Sequence, residues 1–373
     1  MSSHTKPRVI VLGLGDTGIL ITTRLSRNFD VLGVSTKPAL LSGQELGTRL
    51  TNPAQWRASY FIALSRFKKL AKVPTIHGRA IEVDRSSRTV TIEHVDATSS
   101  IESYDFLVIA TGASNGFWRH DRSQTQAEID QELDDHARMI EAASTIAIVG
   151  GGATGVSVAD NLALSTNKTI HLFYGKETLL SDYHPKVRAW VSRVLARDGV
   201  HLHPHHRVEL PNGMTPTALT TEPLRFSSGQ EPFRADLVLW ATGITRPHSG
   251  FLPRDILDDH GFVIVDEHLL VSGQRNIFAV GDVAASDPLR SSARNWGWKV
   301  VIANINALSQ GKPSHKRFKA TPYRWGSILG LQDRGLTVFQ PNGRRFRFPA
   351  SLATVLLFRG FTERYLYGGI KKQ

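Results

Sequence analysis

The chain of 373 residues contains no cysteine. This absence excludes disulfides, thiolate metal sites and any redox-active cysteine pair. Long apolar runs are also missing, because none approaches the ~20 residues that a membrane-spanning helix needs. The first residues pass from a short polar stretch into an apolar strand, without the apolar core or the cleavage site of a secretory signal. We therefore expect a cytoplasmic protein.

Acidic residues are scarce near the C-terminus. The whole chain has 45 Lys and Arg against 33 Asp and Glu, a net charge of +12. From Lys312 onward, thirteen lysines and arginines stand against only Asp333 and Glu363, so this segment carries +11 of that charge. Such a segment meets an anionic partner or forms a solvated basic surface. No base-reading module accompanies it, so nucleic acid is not expected as a partner.

Two segments of the chain share one pattern. "VIVLGLGDTG" (9–18) and "IAIVGGGATG" (146–155) both predict a strand, a glycine turn and a helix. In such a turn the first glycine bends the chain, the second admits a pyrophosphate, and the third lets helix and strand pack closely. The phosphates then lie at a helix N-terminus. Each segment is followed by an apolar strand that ends in Ala-Thr-Gly, at 110–112 and 241–243. The sequence therefore predicts two nucleotide-binding units in tandem.

The strands around these turns are apolar without alternation, which predicts parallel sheets buried on both faces. A further strand, "NIFAVGD" (276–282), is expected to return to the first sheet. Beyond 311–313 the composition changes. Residues 327–348 predict strands joined by turns, and the last stretch predicts a helix to Tyr367 that ends at Gly368.

These motifs resemble the two-dinucleotide-binding-domain flavoproteins of the pyridine nucleotide-disulphide oxidoreductase superfamily. Nearly the whole chain is similar, most of all to type II NADH:quinone dehydrogenases and apoptosis-inducing-factor-like oxidoreductases. The resemblance implies an α/β fold of two Rossmann-like domains, the second inserted in the first. It implies an FAD-binding domain from 1–112 and 243–319, an NAD(P)-binding domain from 113–242, and a basic C-terminal region, 320–373. The implied activity is hydride transfer from NADPH or NADH to FAD and then to a quinone-type acceptor.

The resemblance also implies the site residues. For FAD they are Gly13, Gly15, Gly18, Ser35, Thr36, Thr111, Gly112, Gly281 and Asp282, the last bonding the ribityl chain. For NAD(P) they are Gly150, Gly152, Gly155, Tyr174, Lys176, Thr242 and Gly243. Candidates near the flavin are Arg294, Trp296 and Ser157, and a helix from about Arg294 is expected to aim its N-terminus at the flavin ring. The missing cysteines argue against the disulfide-reductase and sulfide-oxidising branches.

Several positions depart from the family pattern. The ribose-binding acid of the first unit is replaced by Ser35 or Thr36, and a hydroxyl binds ribose more weakly than a carboxylate. Asp16 stands inside the first glycine turn, where it either repels a pyrophosphate or caps the helix and points away. In the second unit Tyr174 replaces the acid that selects NADH, so Lys176 favours NADPH. Ser157 replaces a glutamate close to the flavin.

Three weaker features leave alternatives open. The run "HLHPHH" brings His201, His203 and His205 onto alternate positions of a strand, but no carboxylate accompanies them and no metal is expected. Trp296 and Trp298 line an acceptor pocket or simply pack a helix. The terminal helix, with Leu357, Phe361, Tyr365, Arg359 and Arg364, lies on an anionic membrane or docks on the first domain. Peripheral attachment to the inner face of the cell membrane is thus one option.

Two rival functions remain. A nucleotide-binding regulatory or scaffold protein with little turnover is favoured by the missing acids and by Ser157. A soluble reductase of an electron-carrier protein would use the basic region to dock an acidic partner. The intact Asp282 and the two complete glycine sets favour the oxidoreductase. The oligomeric state stays open, with a homodimer as one option.

Overall fold

A computed structural model describes residues 6–41, 46–114, 120–165, 167–210, 219–242 and 245–371. The strands, in chain order, are β1 (Arg8–Leu12), β2 (Asp30–Ser35), β3 (Ala39–Leu41), β4 (Phe61–Ala63), β5 (Thr75–Asp84), β6 (Thr89–His94), β7 (Ser99–Ser103), β8 (Phe106–Ile109), β9 (Ala113–Ser114), β10 (Thr145–Val149), β11 (Thr169–Phe173), β12 (His201–His203), β13 (Leu219–Thr220), β14 (Leu237–Trp240), β15 (Arg246–Pro247), β16 (Ile277–Ala279), β17 (Gly326–Gln332), β18 (Gly335–Phe339) and β19 (Arg345–Phe348).

The α-helices are α1 (Asp16–Leu25), α2 (Leu46–Thr51), α3 (Pro53–Tyr60), α4 (Gln126–Ala142), α5 (Ala153–Ser165), α6 (Pro185–Arg197), α7 (Gly297–Ser309) and α8 (Ala350–Leu352). A π-helix, Ala353–Leu366, follows α8 directly. Among the described residues, none of the helices combines the length and the apolar character that crossing a bilayer requires.

The first sheet has seven strands in the order β16-β8-β1-β2-β5-β6-β7. The five strands from β16 to β5 are parallel, whereas β6 and β7 extend the sheet as an antiparallel meander. In β1, Val9 and Val11 pack into one core cluster while Ile10 and Leu12 pack into another. Successive side chains of a strand point to opposite faces. The sheet is therefore buried on both faces at β1, as the uninterrupted apolar run predicts.

The second sheet has the order β12-β11-β10-β14-β13, and β10 is flanked in parallel by β11 and β14. In both sheets the strand that leads into the glycine turn therefore has equivalent neighbours. One is the next long strand along the chain, β2 or β11, and the other is the strand that precedes Ala-Thr-Gly, β8 or β14. Parallel neighbours end at the same edge of a sheet. Each glycine turn therefore meets its Ala-Thr-Gly segment, and the predicted duplication is confirmed.

The second unit is inserted into the first. The chain leaves the first sheet after β8 and returns to it at β16, and these two strands are paired, with Leu107 opposite Ile277. The outgoing strand β9 and the returning strand β15 pair antiparallel, with Ser114 opposite Arg246. The predicted fold class is confirmed. We keep the boundaries 1–112 with 243–319, 113–242 and 320–373 as a proposal, which this paired crossing supports.

The basic C-terminal region contacts both units. Its three-stranded antiparallel sheet, β17-β18-β19, contributes Ile328 and Leu329 to the core cluster that also holds Val156 of α5 and Val191 of α6. Its π-helix lies on the first unit instead, where the ring of Phe358 is 6.1 Å from that of Tyr60. The helix ends at Leu366, close to where the sequence predicts, but the sequence did not predict its π form, which is rare in runs of this length.

Candidate functional site

The first glycine turn joins β1 to α1. Gly13 has φ +96°, and a Cβ atom there would lie 2.4 Å from the carbonyl oxygen of Ala110. A Cβ at Gly18 would lie 1.8 Å from the carbonyl oxygen of Gly13. These two glycines are required because backbone segments touch there. At Gly15 a Cβ would meet nothing within 4 Å, so the turn is open toward a ligand at this residue alone of the three.

The second glycine turn, between β10 and α5, repeats this geometry. Gly150 has φ +127°, and its Cβ would lie 2.0 Å from the carbonyl oxygen of Ala241. A Cβ at Gly155 would lie 2.0 Å from the carbonyl oxygen of Gly150, whereas one at Gly152 would meet nothing within 4 Å. Both turns therefore have two packing glycines and one glycine that faces open space. This is the arrangement that lets a pyrophosphate approach the backbone.

Three strand ends meet beside the first turn. β8 leads to Thr111 and Gly112, which has φ +74°, and β16 leads to Gly281, with φ +89°. The Thr111 hydroxyl donates to the carbonyl of His248 at 2.7 Å, and the Gly281 amide donates to the Ser292 hydroxyl at 2.9 Å. Asp282, half-buried, follows Gly281 at the same edge. The structure thus brings the predicted FAD residues Gly13, Thr111, Gly112, Gly281 and Asp282 together.

Asp16 is the first residue of α1. The N-cap residue before it is Gly15, which has no side chain to cap the helix. The Asp16 carboxylate does not stand alone in the turn, because it accepts a hydrogen bond from the hydroxyl of Tyr367. Burial, and then the charge of Asp16, raise the pKa of Tyr367 well above its ordinary value, so this hydroxyl stays protonated. The sequence did not reveal this contact, because it joins residues at opposite ends of the chain.

The hydroxyls of Ser35 and Thr36, at the end of β2, have different surroundings. Ser35 is buried, and its hydroxyl donates to the carbonyl of Lys37 at 2.8 Å and accepts from the Lys37 amide at 3.2 Å. The Thr36 hydroxyl accepts from the Lys37 ammonium at 3.3 Å. Two further residues that the sequence did not suggest bind this loop. The Lys37 ammonium donates to the carbonyl of His120, and the backbone amide of Gln124 donates to the carbonyl of Thr36. Of the two predicted ribose ligands, Thr36 is the half-buried one and Ser35 is occupied within its own loop.

A buried polar cluster lies behind this loop, between α2 and α4. The Arg49 guanidinium pairs with the Glu132 carboxylate at 3.2 Å, and Gln124 donates to the same carboxylate at 3.2 Å. Burial opposes ionisation of Glu132, but the contacts with His120 and Arg49 outweigh it and lower its pKa to about 2. Burial, and then the charge of Arg49, lower the pKa of His136 to about 4. Glu132 is therefore ionised and His136 neutral in the folded protein at neutral pH.

Acidification is expected to destabilise the protein through His136. The unfolded chain binds a proton near pH 6.5, whereas the folded protein binds it only near pH 4. The free energy of unfolding therefore falls as the pH decreases through this window, by at most about 3.5 kcal/mol at about 1.4 kcal/mol per pKa unit. Urea denaturation at pH 7 and pH 4.5 should show a smaller loss for His136→Gln than for the wild type. Equal losses in the two proteins would contradict this assignment.

In the second unit, Tyr174 is buried beneath the turn. A Cβ on Gly151 would lie 3.0 Å from the Cβ of Tyr174, and burial raises the pKa of this tyrosine. Lys176 is exposed, and its ammonium donates to the hydroxyl of Ser181 at 3.0 Å. The structure adds a second cation, because a Cβ on Gly175 would lie 3.4 Å from the Cβ of Arg207. The sequence alone did not indicate Arg207, because it lies far from Gly175 along the chain.

Thr242 lies beside Gly150, since its amide nitrogen is 3.1 Å from where a Cβ of that glycine would stand. Gly243, predicted as an NAD(P) residue, lies outside the described residues. The predicted NAD(P) residues Gly150, Gly152, Gly155 and Thr242 therefore share one edge of the second sheet with Tyr174.

The candidates expected near the flavin are turned toward the C-terminal region. The helix expected from Arg294 begins only at Gly297, because Trp296, its N-cap, has φ +60° in the left-handed region. The Trp296 ring is 37% exposed and lies 6.5 Å from that of Phe361 in the π-helix. Arg294 donates to the carbonyl of Trp325, next to β17. Trp298 is buried, with the Arg24 guanidinium 4.3 Å from its ring centre, so it packs the helix rather than lining an open pocket.

Ser157 lies on α5, two residues beyond the last glycine of the turn. Its side chain is buried, and its hydroxyl has no hydrogen-bond partner within the described part of the chain. The Asn161 amide, one turn further along, donates to the carbonyls of Ser157 at 2.8 Å and Leu329 at 3.0 Å. A role for Ser157 beside the flavin stays a prediction.

The histidines of the second sheet form an aromatic stack. His205, with φ +59°, lies beyond β12, so the three alternate histidines do not share a strand face. The ring of His203 instead stacks on Phe173 at 4.3 Å and shares a hydrogen bond of 2.9 Å with His171. Burial, and then neighbouring histidines, lower the pKa of His203 to about 4. Among the described residues, no group of three or more His, Asp or Glu is arranged to hold a metal.

Two glycine turns with the same open position, each at the carboxyl edge of a parallel sheet, define a protein with two dinucleotide-binding domains. Residues 7–311 match the pyridine nucleotide-disulphide oxidoreductase family, and the chain belongs to it. This confirms the resemblance stated from the sequence.

Relatives match most of the chain. Oxidoreductase ptaL of Pestalotiopsis fici is 32% identical over 305 residues, which cover 78% of this chain and 76% of that protein. Apoptosis-inducing factor homolog B of Dictyostelium discoideum is 25% identical over 360 residues and 90% of each chain. The fold is similar to that of the water-forming NADH oxidase from Lactobacillus brevis bound to NADH, with a TM-score of 0.65 and 18% identity over 89% of this chain and 74% of that one.

Proposed function

We propose that this protein is an FAD-dependent NAD(P)H oxidoreductase that passes electrons to a quinone-type acceptor. The observation that carries the proposal is the matched pair of open glycines, Gly15 and Gly152, where added Cβ atoms would meet nothing within 4 Å. A backbone that is open in this way at the start of a helix suits a pyrophosphate. FAD, when bound, supplies the ability to take a hydride from the nicotinamide and to pass electrons on.

The first turn fits FAD, and the second fits the nicotinamide nucleotide. In the first, the N-cap Gly15 has no side chain that could cover the amides at the start of α1. Thr36 would contact the ribose, and Gly281 and Asp282 the chain between the phosphates and the ring. In the second, the end of β11 lacks the acid that would repel a 2′-phosphate, and Lys176 is exposed nearby. We therefore propose NADPH as the preferred donor.

The acceptor is proposed to reach the protein at a membrane surface. The exposed side of the π-helix and of α8 carries large apolar residues between arginines: Leu352, Val355, Leu356, Phe361 and Tyr365, with Arg359 and Arg364. We call this set the apolar-basic patch. Apolar side chains combined with arginines suit an anionic lipid interface. Trp296 connects the patch to the start of α7, through its contact with Phe361. Since the chain has no cysteine, electrons do not leave through a disulfide.

The first experiment is an absorption spectrum of the purified protein without oxygen. We expect a bound flavin band that bleaches within seconds of adding NADPH and more slowly with NADH. Re-oxidation by a soluble short-chain quinone then tests the acceptor. A protein that neither contains nor takes up FAD would overturn the proposal and favour the regulatory function. Bleaching followed by re-oxidation only by a small electron-carrier protein would favour the soluble reductase.

Vesicle binding tests the apolar-basic patch. The double variant Val355→Asp with Leu356→Asp is expected to weaken sedimentation with phosphatidylcholine–phosphatidylglycerol vesicles by about tenfold or more. Each side chain is 54% exposed, so the two together lose about 1.5–3 kcal/mol of apolar burial. Ile101→Asp is the matched control, since Ile101 is 70% exposed on β7 in the first unit. Equal binding of the patch variant and the wild type would count against the membrane surface.

A further inference from the structure

The C-terminal tail brings a tyrosine hydroxyl to the carboxylate of Asp16, in the first glycine turn. We propose that Tyr367 is a positioning residue for FAD, and that its hydrogen bond holds the Asp16 carboxylate away from the pyrophosphate that Gly15 admits. The inference rests on the proposed function, because it takes the first turn as the FAD site. It also explains how a carboxylate is tolerated at a position where it would otherwise repel the cofactor.

The geometry of this contact is well fixed. Tyr367 is 5% exposed, and its ring meets that of Phe67 edge-on at 5.1 Å. The Lys68 amide donates to the carbonyl of Gly369 at 3.0 Å, and the Lys371 amide donates to that of Arg66 at 2.8 Å. The tail is therefore held as an extended segment on 66–68, just beyond the tyrosine.

The tail is also anchored before the tyrosine. The Arg24 guanidinium, at the far end of α1, donates to the carbonyl of Leu366 at 2.9 Å. The hydroxyl of Tyr367 then donates to Asp16 at the near end of the same helix. The tail thus contacts both ends of α1, and these two contacts fix the position of the Tyr367 hydroxyl relative to the turn.

The electrostatic reason for the arrangement follows from the place of Asp16. A carboxylate at the first residue of a helix is attracted to the same open amides that a pyrophosphate would use. It also repels the pyrophosphate through its charge. A hydroxyl that donates to this carboxylate satisfies one of its oxygens and weakens its competition for the amides. Tyr367 supplies this donor through its hydrogen bond to Asp16, since a tyrosine hydroxyl is protonated at neutral pH and burial raises its pKa further.

The test is a cycle of variants on FAD affinity, measured by flavin fluorescence during titration of the apoprotein. Tyr367→Phe keeps the ring and removes only the hydroxyl. We expect the Kd for FAD to rise about tenfold, as for the loss of one hydrogen bond to a charged group. In the Asp16→Asn background, Tyr367→Phe should change the Kd by less than about twofold, because no charge is left to restrain. Tyr104→Phe is the matched control and should not change it, since Tyr104 is buried in the first unit and its hydroxyl has no hydrogen-bond partner among the described residues.

The possible results distinguish failure of the proposed function from failure of the role proposed for Tyr367. A wild-type protein that binds no FAD overturns the proposed function and this inference together. A wild type that binds FAD with a Tyr367→Phe variant that binds equally well overturns the inference alone. A loss of affinity that is equal with and without the Asp16→Asn substitution also overturns it, since Tyr367 would then serve only to dock the tail. Near-ultraviolet circular dichroism of each apoprotein verifies that the variants are folded.

Discussion

Replacing Gly152 by alanine is expected to leave a folded, yellow protein that NADPH reduces only at concentrations on the order of a hundredfold higher than the wild type needs. The added Cβ meets no atom within 4 Å, so the packing of the second domain is unaffected. It occupies the space through which a pyrophosphate must approach the backbone. We expect the Kd for NADPH to rise on the order of a hundredfold, or about 2.7 kcal/mol. Stopped-flow measurement of flavin bleaching against NADPH concentration gives this value.

The companion variant Gly15→Ala should have the complementary defect. It should fold and bind NADPH but lose FAD, because its added Cβ also meets nothing within 4 Å. Gly155→Ala is the structural contrast, since its Cβ would lie 2.0 Å from the carbonyl oxygen of Gly150 and should lower the melting temperature. If Gly152→Ala is reduced as fast as the wild type at every NADPH concentration, the second turn is not the nicotinamide site. If Gly15→Ala retains FAD, the first turn is not the FAD site.

The predictable part of this protein is the part that local sequence determines. A glycine turn requires glycine where the backbone folds onto itself, so Gly13 and Gly150 were visible as motif positions before their contacts with Ala110 and Ala241 were known. Strands buried on both faces need apolar residues at every position, which made β1 and β10 recognisable. The insertion was expected from the family resemblance, together with the strand at 276–282 that was expected to return to the first sheet.

The remaining features depend on contacts between distant residues. Asp16 is unusual for its turn, but nothing near it in sequence indicates Tyr367 as its partner. Arg207 reaches Gly175 only because β11 and β12 are neighbours in the sheet. The start of α7 at Gly297 depends on the left-handed conformation of Trp296, a tryptophan for which that conformation is uncommon. Such contacts arise from tertiary packing, and propensity and periodicity do not encode them.

One of these distant contacts fixes the C-terminal sheet to the second unit. Asp160 of α5 is completely buried, and the Arg334 guanidinium at the turn between β17 and β18 pairs with it at 2.7 Å. Arg334 also contacts Asp198, beyond the end of α6, and Gln332 donates to the same Asp160 oxygen. Burial raises the pKa of Asp160, so this carboxylate depends on its cation to stay ionised. The basic charge of the C-terminal region is therefore partly structural.

Arg334→Met is accordingly expected to lower the free energy of unfolding by about 3–5 kcal/mol, because removing one partner of a buried pair leaves an uncompensated charge. Methionine keeps much of the apolar stem of the arginine. The decrease in the free energy of unfolding therefore measures the loss of the guanidinium rather than the creation of a cavity. Urea denaturation at pH 7 measures it. Arg344→Met is the matched control, since Arg344 is exposed just before β19 of the same sheet and should change stability by less than about 0.5 kcal/mol.

A second substitution identifies the cause of that loss. In the Arg334→Met background, Asp160→Asn should restore part of the stability, because a neutral amide costs less to bury than an unpaired carboxylate. If Arg334→Met is no less stable than Arg344→Met, the ion pair does not hold the sheet. If Asp160→Asn restores nothing, the loss comes from the contact with Asp198. Protection of β17 amides from hydrogen exchange distinguishes local release of the C-terminal sheet from unfolding of the whole second unit.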